Sequence, residues 1–155
     1  MKRITLAAIA AGAVFLGASA GAQNQVKLDL SDPITVRQHI MKMVGGNMKM
    51  LGAMAKGEAP YDARVAEAAF RGIRAGAIGF AAQFPPGSEK GHDTTARDTI
   101  WSDRVGFEEK VVGLIRASGK AMRAKPATLD EFRPLLGEVG GACKACHEGY
   151  RVKKQ

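Results

Sequence analysis

Residues 139–151 read Val-Gly-Gly-Ala-Cys-Lys-Ala-Cys-His-Glu-Gly-Tyr-Arg and contain both cysteines of the 155-residue chain. Cys143, Cys146 and His147 have the C-x-x-C-H spacing of a c-type haem attachment site, in which two thiols add to the vinyl groups of one haem and the histidine becomes an axial ligand of the iron. On a helix these three positions share one face, because they are three and four residues apart. The stretch therefore predicts one covalently bound haem c on a helix, with His147 on the iron.

Other uses of paired cysteines fit this stretch less well. A redox dithiol of the C-x-x-C type is expected after a strand in a βαβ unit, whereas Gly140 and Gly141 precede the motif here without strand-like alternation. A structural zinc ion needs four ligands, and the other histidines, His39 and His92, lie far upstream. A disulfide at this spacing would close too short a loop to stabilise the fold much. Haem attachment is the preferred interpretation.

The first 22 residues have the organisation of a secretory signal peptide. Lys2 and Arg3 precede an apolar segment at positions 4–16, and small residues matching the A-x-A cleavage rule follow at positions 18–22. The apolar segment is shorter than the about 20 residues of a transmembrane helix, so we expect cleavage and no membrane span afterwards; an uncleaved anchor is the alternative. The mature domain would comprise residues 23–155. The motif implies export, because this kind of haem attachment occurs outside the bacterial cytoplasm, and the expected location is periplasmic.

The composition is basic, with 23 Lys and Arg against 15 Asp and Glu and a formal charge of +8. Signal cleavage would remove two positive charges and no acids, leaving +6. A surface of this charge favours acidic partners or anionic membrane faces. No basic run is interleaved with aromatic residues, so we expect no nucleic-acid partner. No acid–base pair or nucleophile constellation converges near the motif, so we do not expect an enzyme.

Helical periodicity begins at Asp32 and Pro33, an N-cap acceptor followed by a proline at the first helical position. Apolar residues then recur with helical spacing as far as Gly57. After a break, Asp62 is the predicted N-cap of a second helix, which runs through Phe80 and ends before the prolines at positions 85 and 86. These patterns predict two helices separated by a short connection.

Two further helices follow a polar loop that continues to about Asp98. The third is predicted over residues 99–124, and the fourth opens at Thr128 with a Thr-x-x-Glu capping box. Pro134 lies early in the fourth helix, where we expect local distortion. The pattern indicates one all-α domain, and four helices with short connections are typical of a four-helix bundle with its site between facing helices. A loop as long as the one before the third helix is often functional.

A second axial ligand has to come from upstream, because the eight residues that follow His147 include neither methionine nor histidine. Five of the seven methionines lie in the first predicted helix, namely Met41, Met43, Met48, Met50 and Met54. Packing in a core is the more frequent role of a helical methionine. His39 is a rival ligand, but it lies two residues from Met41 and therefore points to another face. His39 and His92 are expected at the surface or near the haem without binding it.

The mature chain resembles the cytochrome c′ family, the class II cytochromes c. The resemblance rests on the following segments, of which the last is the most specific: Val36-Arg37-Gln38 with Met41; residues 55–62, Ala-Lys-Gly-Glu-Ala-Pro-Tyr-Asp; Ile100-Trp101; and residues 139–151. It implies a left-handed antiparallel four-helix bundle over residues 23–155, commonly a homodimer, with His147 as the proximal ligand. It also implies that Arg37 and Gln38 contact the haem propionates, that Asp93 or Thr94 contributes to them, and that Arg151 lies beside the proximal face.

Met41 matches the family position that faces the distal side of the iron, and the resemblance implies two chemistries for it. In one branch a methionine here ligates the iron, which gives a six-coordinate electron-transfer protein. In the other branch the residue only lines the pocket, and the five-coordinate iron binds nitric oxide or carbon monoxide. The preferred prediction is electron transfer with redox partner proteins, and the alternative is gas binding or detoxification.

Overall fold

The computed structural model describes residues 29–153, and every regular element within them is a helix. In chain order the elements are α1 (Pro33–Lys56), α2 (Ala63–Ala77), a 3-10 helix (Phe80–Gln83), α3 (Thr99–Ser102), α4 (Arg104–Ala124) and α5 (Leu129–Tyr150). An isolated antiparallel bridge joins Ala96 to Arg151. Within the described range no helix has the length and apolarity needed to cross a bilayer. The predicted signal peptide, residues 1–22, lies outside the described residues.

The helix starts are confirmed by their capping hydrogen bonds. The carboxylates of Asp32 and Asp62 each accept from two backbone N–H groups in the first turns of α1 and α2. Thr128 accepts from the backbone of Glu131 at the start of α5, and the Glu131 carboxylate accepts in return from the backbone N–H of Ala127. These side chains bind backbone N–H groups that have no partner inside the helix. Because the capping residues can be recognised in the sequence, the starts of α1, α2 and α5 were predicted correctly.

Two helix boundaries differ from the prediction. The second helix ends at Ala77 rather than continuing through Phe80, because Gly79 adopts a left-handed conformation with φ of 77° and a separate 3-10 turn follows. The third helix is interrupted at Asp103, whose backbone is not helical and whose carboxylate accepts from the N–H of Gly106. Aspartate competes in this way with the continuous helical ladder, so α3 is a single turn and α4 begins after it. By contrast, α5 continues unbroken past Pro134.

The four long helices form a four-helix bundle, which confirms the predicted all-α fold. Helix α1 packs against α2 and α5, α2 packs against α4, and α4 packs against α5. Gly76 of α2 lies close to α1, since a side chain there would place its Cβ 3.0 Å from a methyl group of Val44. A glycine at this position lets the two helices approach each other.

Two apolar clusters fill the bundle. The first surrounds Phe132, whose ring centroid lies 5.8 Å from that of Phe70 and 5.1 Å from that of Tyr61. The second consists of buried side chains near the end of α5, namely Phe84, Ile100, Phe107, Val111 and Tyr150. Cys143 packs against the first cluster and Cys146 against the second, so the cysteine motif of α5 lies where the two clusters meet.

Candidate haem-binding site

A cavity of about 610 Å³ opens between α1, α4, α5 and the loop that precedes α3. This volume lies within the range of small-molecule and cofactor sites. Its lining includes all nine residues singled out in the sequence: Arg37, Gln38, Met41, Asp93, Thr94, Cys143, Cys146, His147 and Arg151. The structure thus brings together positions that are more than a hundred residues apart in the chain, while the role of each toward the haem stays a prediction.

Cys143, Cys146 and His147 face this cavity from the last turns of α5. The two cysteines are partly buried and form no disulfide. Burial raises the pKa of both thiols. Partial desolvation, reinforced by the positive charge of Arg151, lowers the pKa of His147. A lowered pKa keeps the imidazole neutral, and the neutral ring is the form that binds a metal. This donor set fits a covalently attached haem.

Met41 enters the cavity from α1, where it is partly buried. The surrounding wall is apolar and aromatic, with Phe80, Phe107 and Val111 among its members. His39 does not line the cavity, and its Nδ1 lies 2.9 Å from the main-chain oxygen of Thr35 one turn earlier. Of these two side chains, only that of Met41 lines the cavity.

Arg37 lines the cavity, is buried, and binds the end of the 3-10 helix and the loop that follows it. Its Nη1 donates to the main-chain oxygen of Gln83 at 3.1 Å and to the hydroxyl of Ser88 at 3.0 Å. Its Nη2 donates to the main-chain oxygen of Ser88 at 2.7 Å and to the hydroxyl of Thr94 at 3.2 Å. A guanidinium has five N–H donors, and these bonds use four of them. Arg37 thus positions the loop, and only its Nε–H is left for another acceptor.

The guanidinium of Arg37 is an unusual charge for a protein interior. The residue is 4% exposed, and its pKa is lowered by burial. No ion pair joins Arg37 to a carboxylate within residues 29–153. Instead the cation lies 4.6 Å from the ring centroid of Phe84 and 5.9 Å from that of Trp101. A buried cation without an anionic partner favours binding of an anion nearby, which suits the carboxylates of a haem.

The neighbouring loop is held in a conformation that non-glycine residues rarely adopt. His92 and Asp93 have φ angles of 46° and 51°, directly after Gly91 with 124°. Gln38 donates to the main-chain oxygen of His92 at 2.6 Å, and the imidazole of His92 lies 3.6 Å from the carboxylate of Asp32. Strained backbone of this kind persists only where surrounding contacts impose it, and it is frequent at ligand sites.

Several residues of the site were not identified from the sequence. Tyr150 lines the cavity and was identifiable in principle, because it lies three residues after His147 and therefore on the same face of α5. Lys110 also lines the cavity. Ser88 and Arg104 gave no signal in the sequence. Arg104 supports the aromatic wall by donating to the main-chain oxygens of residues 81 and 84.

Comparisons with known proteins show the family of this chain. Residues 32–151 match the protein-family model described as Cytochrome C'. The chain is 38% identical over 118 residues to cytochrome c-556 of Agrobacterium tumefaciens (strain II Chrys), covering 76% of this chain and 95% of that protein. It is 33% identical over 123 residues to cytochrome c' of Rubrivivax gelatinosus, covering 79% and 95% respectively.

Solved structures give the same result. Cytochrome c' from Rhodopseudomonas palustris superposes with a TM-score of 0.77 at 33% identity, over 80% of this chain and 98% of that one. A variant of cytochrome c prime from Alcaligenes xylosoxidans, solved as a nitric oxide complex, gives 0.71 at 34% identity, over 80% and 96%. The predicted fold, cofactor and family are therefore confirmed, and this chain belongs to the cytochrome c′ family, as a helical-bundle protein that carries covalently attached haem c.

Proposed function

We propose that this protein is a periplasmic electron carrier in which His147 is the proximal ligand of the haem iron and Met41 lies on the distal side. The observation that carries the proposal is the placement of Met41, Cys143, Cys146 and His147 around one cavity. When haem c is bound, its iron supplies one-electron redox chemistry and, where one coordination position is free, a binding site for a diatomic gas.

The protein residues have separate tasks in this proposal. Cys143 and Cys146 hold the cofactor covalently, and the neutral imidazole of His147 supplies a nitrogen ligand from the same helix. The apolar wall formed with Phe80 and Phe107 lowers the local dielectric constant on its side of the cavity, which is one of the factors that tune the reduction potential. Gln38 and the free Nε–H of Arg37 are available as donors to haem carboxylates, and Arg151 lies beside the proximal side.

The charges at the mouth of the cavity support an electron-transfer role with an acidic partner protein. Lys42, Lys110 and Arg151 line the cavity, are exposed, and form no ion pair in the described part of the chain. Asp93 is the one acidic side chain in the lining. Such an excess of cations accelerates encounter with an acidic surface.

Gas binding is the second candidate function. It is favoured by the likeness to a relative that was solved as a nitric oxide complex, and it requires that Met41 only line the pocket. The two functions differ in one feature, which is whether the thioether of Met41 is a ligand of the iron.

The absorption spectrum of the ferric holoprotein distinguishes the two candidates. If Met41 is a ligand, we expect a methionine-to-iron charge-transfer band that is absent in Met41→Leu and retained in Met54→Leu, a control in the same helix whose buried side chain does not line the cavity. A high-spin spectrum that is unchanged by Met41→Leu would contradict ligation. Titration of the ferrous protein with nitric oxide tests the alternative, and no spectral change at stoichiometric gas would remove it.

The periplasmic location and the homodimer are part of the same proposal. Mass spectrometry of the protein from a periplasmic extract is expected to show the chain shortened by 22 residues, whereas an intact N-terminus in the membrane fraction would support an anchor.

Two exposed apolar side chains are candidates for the surface of the proposed homodimer. Met43 lies on α1 and is 57% exposed, and Ile78 directly follows α2 and is 51% exposed. Sedimentation analysis of the holoprotein tests whether they are covered in a dimer, which Met43→Glu is then expected to weaken.

A further inference from the structure

Tyr150 joins the end of the haem-binding helix to the start of α4. It is the last residue of α5 and is 8% exposed, with its ring edge-on to Phe107 at a centroid distance of 5.4 Å. Its hydroxyl donates to Oδ2 of Asp103 over 2.6 Å. Since Tyr150 and His147 are three residues apart on one helix, their side chains lie on the same face and rotate together with it.

Asp103 is itself fixed in place. It is the N-cap of α4, where its Oδ1 accepts from the backbone N–H of Gly106 at 3.1 Å. The same carboxylate therefore binds the first turn of α4 through one oxygen and the last turn of α5 through the other. The hydrogen bond to Asp103 raises the pKa of Tyr150 to about 12, so the hydroxyl remains a donor throughout the physiological range.

Gly106 provides the space in which this bond forms. A Cβ at that position would lie 2.7 Å from the hydroxyl of Tyr150 and would also clash with the carboxylate of Asp103. A separation of this kind is too short for a carbon and an oxygen that are not bonded, so any side chain at Gly106 has to displace the pair. Gly113, seven residues later in the same helix, has open space instead.

Main-chain bonds hold the same turn against the segment before α3. The N–H of Arg97 donates to the main-chain oxygen of Tyr150, and the N–H of Val152 donates to that of Thr95. The hydroxyl of Thr99 donates to the main-chain oxygen of Gly149 at 3.0 Å. These bonds secure the end of the helix, and the Tyr150 hydroxyl adds a side-chain bond from this turn to α4.

We propose that Asp103 and Tyr150 are a positioning pair that fixes the last turn of α5 and thereby the orientation of the His147 imidazole toward the haem. The inference rests on the proposed role of His147 as the iron ligand. Neither residue has to touch the iron, because the pair acts through the rotation of the helix that carries the ligand. Loss of the pair is expected to change the direction of the imidazole plane, to which both the electronic structure of the iron and its reduction potential respond.

Two variants of the ferric holoprotein disrupt the pair in different ways. Tyr150→Phe removes the hydroxyl, and Gly106→Ala pushes a methyl group between the partners. In both we expect the hyperfine-shifted proton resonances of the haem methyl groups to change their spacing, because this spacing follows the orientation of an axial imidazole. We also expect the midpoint potential to shift in the same direction in both variants.

Matched controls separate positioning from general loosening of the fold. Tyr61→Phe removes a similar hydroxyl bond, that from Tyr61 to the main-chain oxygen of Pro126 at 2.7 Å, near the other cluster. Gly113→Ala adds the same methyl group to α4 in open space. Both controls are expected to keep the wild-type methyl spacing and potential. The proposal is overturned if Tyr150→Phe also keeps them, or if the controls change them equally. The role of His147 is tested separately, by the hyperfine-shifted resonances of the histidine ring that binds the iron. If these resonances survive in His147→Ala, His147 is not the iron ligand, and the proposal for the pair fails with that role.

Discussion

The guanidinium of Arg37 holds Ser88 by two hydrogen bonds, one to its hydroxyl at 3.0 Å and one to its main-chain oxygen at 2.7 Å. The two residues are 51 positions apart, and both are buried. Because Arg37 is on α1 and Ser88 is in the loop before α3, these bonds fix the loop to the bundle at the rim of the haem cavity. This arrangement makes Arg37 a structural residue even before any haem carboxylate is considered.

Replacement of Arg37 by methionine is therefore expected to loosen the loop. It leaves buried acceptors at Gln83 and Ser88 without donors, and one such loss costs about 1–3 kcal/mol. We expect the free energy of unfolding to fall by at least about 2 kcal/mol and amide hydrogen exchange to accelerate over residues 85–95. Arg64→Met, on the exposed side of α2, is the control. Unchanged exchange in the loop of Arg37→Met would contradict the role of this residue.

Covalent attachment depends on the two cysteines. The double variant Cys143→Ala with Cys146→Ala is expected to lose the haem stain that survives denaturing electrophoresis, because no other thiol is present in the chain. Each single variant is expected to keep one thioether bond and a weaker stain. Haem that remains covalently bound in the double variant would refute the attachment site.

The ionisation of Tyr150 predicts a loss of stability at high pH. Its pKa is raised from the usual 10 to about 12 by the hydrogen bond to Asp103. A raised pKa in the folded state means that the unfolded state loses its proton first, so the stabilisation is complete below pH 10 and is lost as the pH rises toward 12. We expect urea unfolding to show this decline between about pH 9 and about pH 12, and Tyr150→Phe to reduce it. The prediction fails if wild type and variant decline in parallel.

The same hydrogen bond also predicts a loss of stability at low pH, through the ionisation of Asp103. The pKa of Asp103 is lowered, chiefly by the hydrogen bond from Tyr150. A depressed pKa stabilises the fold above the ordinary value of 3.8, and this contribution disappears as the pH falls below it. In Tyr150→Phe the acid unfolding midpoint of the holoprotein is expected to move toward higher pH. Asp130→Asn, which removes an exposed carboxylate of α5, is the control. We expect this variant to shift the acid unfolding midpoint less.

Replacement of glycine by alanine is expected to have opposite effects on stability at two positions, Gly76 in the contact between α1 and α2 and Gly113 on α4. Gly76→Ala places a methyl carbon 3.0 Å from Val44 and 3.4 Å from Ile40, and overpacking of this kind costs about 1–3 kcal/mol. Gly113→Ala meets nothing within 4 Å and is expected to stabilise the helix by up to about 1 kcal/mol. Denaturant unfolding of both variants measures the difference. Equal effects would mean that helix propensity alone determines them.

Much of the secondary structure was predictable because its signals are local. The N-caps at Asp32, Asp62 and Thr128 act on backbone groups within three residues, so the sequence located those helix starts. The errors arose where a local signal was weak: Gly79 ends α2 early, and Asp103 interrupts the third helix by capping a new one. In both cases the preference of one residue for a non-helical backbone outweighed an apolar periodicity that continued past it.

The sequence by itself determined that a haem is covalently attached and at which residues. Two thiols and an imidazole at this helical spacing share one face of the helix, and this does not depend on how the rest of the chain folds. The sequence also identified Met41 as the candidate distal residue through the family resemblance. Only the tertiary structure showed that Arg37 holds Ser88 and Thr94 and that Tyr150 reaches Asp103. These partners are 47 to 57 residues apart. Bonds over such separations depend on how the helices pack against one another, and no local spacing in the chain specifies that packing.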